Sequence, residues 1–168
     1  MTTTKRQVFY SFHYKPDCWR VANIRNIGAI ERNKPAPDND WETITKSGDE
    51  AIKKWIKDQM RYRSCTVVLV GKNTANRKWI NHEIVKSWNS DMGVVGIYIH
   101  GLKNSQGYIA EKGKNPFEYI TLGGTKEKLS TIVKCYNPVG LNSKERYAWI
   151  SENLSNAIEE AIKIRNNN

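Results

Sequence analysis

Two apolar runs that lack polar alternation constrain the fold of this chain more than any other feature. Residues 65–71 read CTVVLVG and residues 94–100 read VVGIYIH, and a shorter, aromatic-rich run, QVFYSFH, occupies residues 7–13. Strands that are buried on both faces have this character, because helices cover both sides of a parallel sheet. The pattern therefore predicts three central strands of an α/β protein. A weaker run at 129–136 predicts a fourth strand.

Helical periodicity lies between these strands. Ser47 and Glu50 form the S-x-x-E pattern of a helix N-terminus, and apolar residues recur every three or four positions after them. The same spacing predicts helices over 77–90 and from about 143 to 165, and less regularly over 17–26. Alternating strands and helices predict an open, mainly parallel sheet with helices on both faces. Ligands bind to such sheets beyond the carboxyl ends of the strands.

Length and charge narrow the class of protein. The 168 residues are typical of one domain, and no linker interrupts them, so we expect a single domain over 1–168. A Gly- and Lys-rich stretch at about 102–128 predicts a long insertion.

Lys and Arg number 27 against 17 Asp and Glu, which gives a net charge of +10. This excess favours an anionic partner, which could be a nucleic acid, a phosphorylated small molecule or an acidic protein face.

The cysteine pattern and the hydropathy exclude several other classes. Three widely spaced cysteines, without a CxxC or HExxH motif, predict no metal site and indicate a reducing compartment. The longest apolar stretch, at 94–99, is too short to span a bilayer, and the first 15 residues lack a signal-peptide pattern. We therefore expect a soluble cytoplasmic protein that does not bind a membrane.

The segment GKNTANRKWINHEI at 71–84 carries the most chemical information. It leads from a predicted buried strand, through a small polar loop, into a predicted helix. Trp79 and Glu83 lie four residues apart and therefore share a face of that helix. Glu83 also borders the apolar stripe, which would hold its carboxylate near the ligand-binding edge of the sheet. The alternative is an ordinary surface glutamate, since Lys78 and Lys86 lie close by in the sequence.

Four blocks of sequence together resemble a known family. They are SFHY at 11–14, the pair WE at 41–42, R-x-W-x-x-x-E-I-x-K-S at 77–87, and G-x-N-P-F at 113–117. In this order they resemble TIR domains, and more closely the TIR-like proteins of Thoeris anti-phage defence. The resemblance runs from residue 8 to about residue 119. It implies a flavodoxin-like fold, a three-layer α/β sandwich around a mainly parallel sheet.

The resemblance also implies an activity. NAD+ would be the substrate, with no separate cofactor, and nicotinamide would be released as a cyclic or related ADP-ribose messenger forms. That messenger would activate a separate effector protein. Activation would follow a phage-derived trigger and could require assembly into a homo-oligomer. Glu83 matches the catalytic glutamate of the family, and the candidate substrate-binding residues are Ser11, Phe12, His13, Trp41 and Trp79.

Two other functions remain open from the sequence. A non-catalytic TIR-like module could act as an adaptor through self-association, and an exposed tryptophan would suit such an interface. A nucleic-acid binder would account for the net charge of +10. However, the positive residues are spread along the chain without an RNP-like or zinc-finger pattern, so nucleic acid is a disfavoured partner.

Overall fold

A computed structural model describes residues 6–26 and 48–168 of the protein. Within these residues, four parallel strands form one sheet in the order β1-β2-β3-β4. They are β1 (Val8–Ser11), β2 (Cys65–Val70), β3 (Gly93–Tyr98) and β4 (Cys135–Tyr136). The register aligns Val8 with Cys65, and Cys65 with Gly93. The three predicted central strands are therefore confirmed.

Four α-helices accompany the sheet in the described residues. They are α1 (Tyr14–Arg25), α2 (Asp49–Met60), α3 (Lys78–Asn89) and α4 (Ser143–Asn166). Helices α1 and α4 pack on one face, where Val21 and Ile150 join a continuous core with β1, β2 and β3. Helices α2 and α3 lie on the other face over two smaller apolar clusters. These three layers form the flavodoxin-like α/β sandwich that the family resemblance implies.

Close packing holds α4 against the sheet. A Cβ atom on Gly93, at the start of β3, would lie only 2.7 Å from the backbone nitrogen of Ile162. Glycine is therefore required there for the helix backbone to approach the strand this closely. Asn142 caps the helix, since its Oδ1 accepts a hydrogen bond of 2.9 Å from the backbone N–H of Glu145. The helix therefore begins at Ser143, where the apolar spacing in the sequence predicts its start.

The run at 129–136 differs from the single strand that its composition predicts. It forms a 3-10 turn, Leu129–Thr131, before the two-residue strand β4. The Thr131 hydroxyl lies 2.7 Å from the carbonyl oxygen of Lys128. Such local side-chain bonds favour a turn over an extended ladder. Only Cys135 and Tyr136 then pair with β3.

The insertion contains short elements rather than another domain-sized unit. It includes the 3-10 turn Pro116–Tyr119 and a single antiparallel bridge between Thr121 and Lys128. In residues 6–26 and 48–168, no helix is both long enough and apolar enough to cross a bilayer. The helix-start pattern at Ser47 lies outside the described residues, although α2 itself begins at Asp49.

Candidate active site at Glu83

A polar loop connects β2 to α3 at the carboxyl edge of the sheet. The backbone N–H of Gly71 donates a hydrogen bond of 2.8 Å to the hydroxyl of Thr74, which is fully buried. This bond turns the chain directly after the strand. The helix then begins at Lys78, so Glu83 falls in its second turn.

The strand β1 brings Ser11 to the same face of the sheet as Glu83. Side chains alternate along a strand, and Val8, Tyr10 and Phe12 belong to the core under α1 and α4. Phe9 lies on the opposite face, with α2, and Ser11 therefore points to that side as well. Ser11 and Glu83 are each 0% exposed. The sequence thus brings a hydroxyl and a carboxyl together in the interior.

Glu83 is electrostatically unusual. Burial raises the pKa of its carboxyl well above the ordinary glutamate value, while the neighbouring Ser11 hydroxyl acts in the opposite direction. The geometry does not amount to a hydrogen bond, since among residues 6–26 and 48–168 neither Ser11 Oγ nor either carboxyl oxygen of Glu83 has a partner. A buried polar group without a partner is costly, and such groups are concentrated at functional sites. Within the described residues, the carboxyl therefore has neither a hydrogen-bond partner nor exposed surface.

Hydrogen bonds one turn further along α3 hold this helix against the sheet. The Ser87 hydroxyl lies 2.7 Å from the backbone carbonyl oxygen of Glu83 and 2.6 Å from the Thr66 hydroxyl on β2. Both hydroxyl-bearing residues are fully buried. These contacts restrain the backbone of Glu83 against β2, so the position of its side chain does not depend on a flexible loop.

His13 follows β1 two residues after Ser11, and Trp79 lies one turn before Glu83 on α3, whereas Phe12 points to the other face of the sheet. His13 is half-buried, and burial together with Arg77 and Lys15 lowers its pKa, which favours the neutral imidazole. Trp79 packs against the cluster formed by α2 and β1, 5.7 Å from the ring of His82. Phe12 is buried on the opposite face of the sheet.

Trp41, the remaining candidate, lies outside the described residues. The ligand contacts predicted for the substrate-binding candidates remain predictions.

A buried ion pair at the same edge is not among the residues singled out from the sequence. Arg20 Nη1 lies 2.9 Å from Asp17 Oδ1, and the two side chains are nearly inaccessible to solvent. Arg20 also donates to the carbonyl oxygens of Leu102, at 2.7 Å, and Tyr108, at 3.2 Å. Burial raises the pKa of Asp17, and Arg20 opposes that effect. The D-x-x-R spacing on α1 was the available signal, since residues three apart share a helix face.

An open groove of about 670 Å³ lies on the other side of the sheet. Its walls come from α1, from the start of α4 and from the chain after β3. The lining residues are Asn23, Lys103, Asn142, Ser143, Lys144 and Tyr147. Glu83 does not line this groove. Among residues 6–26 and 48–168, no three acidic, histidine or cysteine side chains form a group that could hold a metal ion.

Comparison with known proteins identifies the family. Residues 9–104, more than half of the chain, match the family described as "Thoeris protein ThsB, TIR-like domain". The chain is also 37% identical over 120 residues to a Bacillus cereus (strain MSX-D12) protein described as "Putative cyclic ADP-D-ribose synthase ThsB1". That alignment covers 68% of this chain and 62% of the relative, so the chain spans about three fifths of the relative's length. The chain belongs to the TIR-like domain family of the Thoeris protein ThsB.

Proposed function

We propose that the protein cleaves NAD+ between nicotinamide and ribose and forms a cyclic ADP-ribose-type messenger. The proposal is supported by the ThsB family match and by the similarity to the Bacillus cereus protein that is described as a cyclic ADP-D-ribose synthase. The observation that carries it is the carboxyl of Glu83, which is 0% exposed and whose two oxygens have no hydrogen-bond partner in the part of the chain that the structure describes. NAD+ acts as substrate, and no cofactor is proposed.

The chemistry requires a fixed carboxylate close to the anomeric carbon. As the bond to nicotinamide breaks, nicotinamide leaves with the electron pair and positive charge develops on the ribose. A carboxylate in a region without water stabilises this charge more strongly in the transition state than in the ground state. We assign this role to Glu83. The restraint of its backbone by Ser87 lowers the reorganisation needed during the reaction.

The two free oxygens of Glu83 also fit the ribose of the substrate. Neighbouring hydroxyls on a ribose can each donate a hydrogen bond to one carboxylate oxygen, and such charge-assisted bonds are strong and directional. The bound pyridinium carries a positive charge, which favours the ionised carboxylate. Because Glu83 has no exposed surface, the substrate reaches it only after surrounding side chains move. The described conformation is therefore a closed, resting form in this proposal.

Other residues have supporting roles in the proposal. Ser11 acts on the Glu83 carboxyl, and we assign substrate contacts to His13, two residues after Ser11, and to Trp79, one helical turn before Glu83. Trp41, which is not among the residues that the structure describes, is also proposed to contact the substrate. Phe12 was also predicted to contact the substrate, but its burial on the opposite face favours supporting β1 from behind.

The proposed biological context follows the family. The messenger would diffuse to a separate effector protein, and a phage-derived trigger would activate the enzyme, with assembly of several copies as part of that activation. The side chain of Trp19 on α1 is 51% exposed and suits such a contact between copies, because tryptophan is enriched at protein interfaces.

The test measures nicotinamide release from NAD+ with the wild-type protein and with Glu83→Gln, each incubated with lysate from phage-infected cells. Loss of a preorganised electrostatic group costs about 10²–10³-fold in turnover, and we expect at least this loss for Glu83→Gln. Glu152→Gln, an exposed substitution on α4, serves as the matched control and should retain the wild-type rate. Equal rates for wild type and Glu83→Gln would falsify the proposal. Phage protection that survives Glu83→Gln would instead support the adaptor function.

A further inference from the structure

The chain that follows β3 crosses the carboxyl edge of the sheet. We call residues 103–115 the rim segment. Its backbone N–H at Ala110 donates a hydrogen bond of 2.8 Å to the carbonyl oxygen of His100, just beyond β3. At its start, the backbone N–H of Lys103 donates to the Ser143 hydroxyl at 2.9 Å. The segment is therefore anchored to β3 and to the first residue of α4.

The rim segment also contacts the residues that follow β2. A Cβ atom on Gly113 would lie 2.2 Å from the carbonyl oxygen of Gly71 and 2.9 Å from that of Lys72. Such a contact exists only because Gly113 has no side chain. The side chains of Lys72 and Glu111 form an exposed ion pair across the same junction at 3.6 Å.

The buried pair Asp17–Arg20 connects α1 to this arrangement. Arg20 donates hydrogen bonds to the carbonyl oxygen of Leu102, directly before the rim segment, and to that of Tyr108 within it. The Asp17 carboxyl packs on Gly71 so closely that a Cβ atom there would meet its Oδ2 at 2.1 Å. The rim segment is thus fixed at α1, β2, β3 and α4.

This edge is the one at which Ser11 and Glu83 meet. Ser11 pairs with Val68 in the sheet, and Gly71 lies three residues further along the chain, just beyond the end of β2. The end of the rim segment reaches the face of the sheet that carries α3, because Lys112 Nζ lies 4.6 Å from the ring centre of Tyr98, which belongs to the same apolar cluster as Ile84, the neighbour of Glu83. We infer that the rim segment limits the access of water to the ribose at Glu83 and so determines the ratio of cyclic to hydrolysed product. This inference rests on the proposed function.

The competing reactions share their first step. The bond between the anomeric carbon and nicotinamide breaks, and nicotinamide leaves with the electron pair. In cyclisation, an adenine nitrogen of the same molecule forms the new bond and a proton is released. In hydrolysis, a water oxygen forms the new bond, also with release of a proton, and linear ADP-ribose results. Excluding water from the site selects the first outcome.

The experiment compares Gly113→Ala with Gly123→Ala in the full chain, in the infected-lysate assay described above. A side chain at Gly113 displaces the rim segment, whereas Gly123 has no atom within 4 Å of the position a Cβ would take. Products are separated by chromatography and identified by mass. We expect the ratio of linear to cyclic product to rise at least about twofold for Gly113→Ala, equivalent to about 0.4 kcal/mol between the two barriers. The ratio for Gly123→Ala should equal that of the wild type.

Hydrogen exchange provides an independent measurement on the same proteins. The Ala110 amide should exchange faster in Gly113→Ala, because its bond to His100 depends on the seated rim segment. An unchanged exchange rate would overturn the role of the Gly113 contact. Faster exchange with an unchanged product ratio would overturn the control of water access. If Gly113→Ala does not fold, Glu111→Gln is the second variant, because it removes the exposed ion pair with Lys72. It should also raise the ratio of linear to cyclic product, and an unchanged ratio would count against the inference.

These outcomes are distinct from a failure of the proposed function. If the wild type releases no nicotinamide in infected lysate, the proposed function is refuted, and the inference about water access with it. If the wild type and Gly113→Ala release nicotinamide at similar rates but with identical product ratios, only the inference is refuted.

Discussion

Replacing Glu83 with glutamine should stabilise the folded protein relative to the wild type, by an amount that increases as the pH rises. Burial raises the pKa of this carboxyl in the folded state, so the folded protein retains a proton that the unfolded chain releases. Above the ordinary value of 4.5, the free energy of unfolding of the wild type therefore decreases with pH. The slope is about 1.4 kcal/mol per pH unit for one proton, and it ends where the pH reaches the raised pKa. Glutamine does not titrate, so the Glu83→Gln protein lacks this loss.

Thermal unfolding followed by circular dichroism between about pH 4 and pH 8 measures the effect. For a chain of this size, 1 kcal/mol corresponds to about 2–4 °C in Tm, so the variant should gain about 3–6 °C over the wild type per pH unit. Below the ordinary glutamate value the difference should be constant, because the carboxyl is protonated in both states. Glu152→Gln removes an exposed carboxyl and should follow the wild-type curve. Parallel curves for wild type and Glu83→Gln above pH 5 would show that the carboxyl is not held in a desolvated site.

Three further substitutions test other contacts. Arg20→Ala leaves the Asp17 carboxylate buried and unpaired, and should lower the free energy of unfolding in urea by about 3–5 kcal/mol; a loss below about 1 kcal/mol would contradict the buried pair. Asn142→Ala removes the side-chain cap of α4 and should cost about 1 kcal/mol by the same assay, whereas an unchanged midpoint would contradict the cap. Ser11→Ala removes a hydroxyl that lowers the pKa of Glu83, so the acidic limb of the pH profile of nicotinamide release should move to higher pH; a shift to lower pH would refute that role.

The central strands and the helices could be predicted because each has a strong periodic signal. The apolar runs at β2 and β3 are buried at every position, as unalternating runs indicate. The helix α4 follows its apolar stripe to Asn166. Ser11 ends β1 and Glu83 lies on the helix that follows β2, so their positions in the sequence place both residues near the carboxyl edge of the sheet. For this reason the family resemblance and the physical argument lead to the same glutamate.

Features that depend on contacts distant in sequence could not be predicted. The complete burial of Glu83 results from packing between α3 and β1, which periodicity alone does not specify. Arg20 reaches Leu102, 82 residues away, and the D-x-x-R spacing, which indicates a pair with Asp17, predicts neither this contact nor the burial of the pair. The turn at Leu129–Thr131 results from local hydroxyl bonding that competes with the ladder, and β-propensity does not account for such competition.

The unequal cores on the two faces of the sheet bear on how relatives of this protein can diversify. One continuous apolar cluster joins β1, β2 and β3 to α1 and α4, while the face with Glu83 has smaller clusters and buried hydroxyls such as Thr66 and Ser87. Since the first face carries the largest continuous apolar cluster, exchanges there should mainly alter how much folded protein a cell accumulates. Exchanges on the second face can instead alter chemistry while the fold persists. Relatives that make different messengers should therefore differ chiefly beneath α2 and α3.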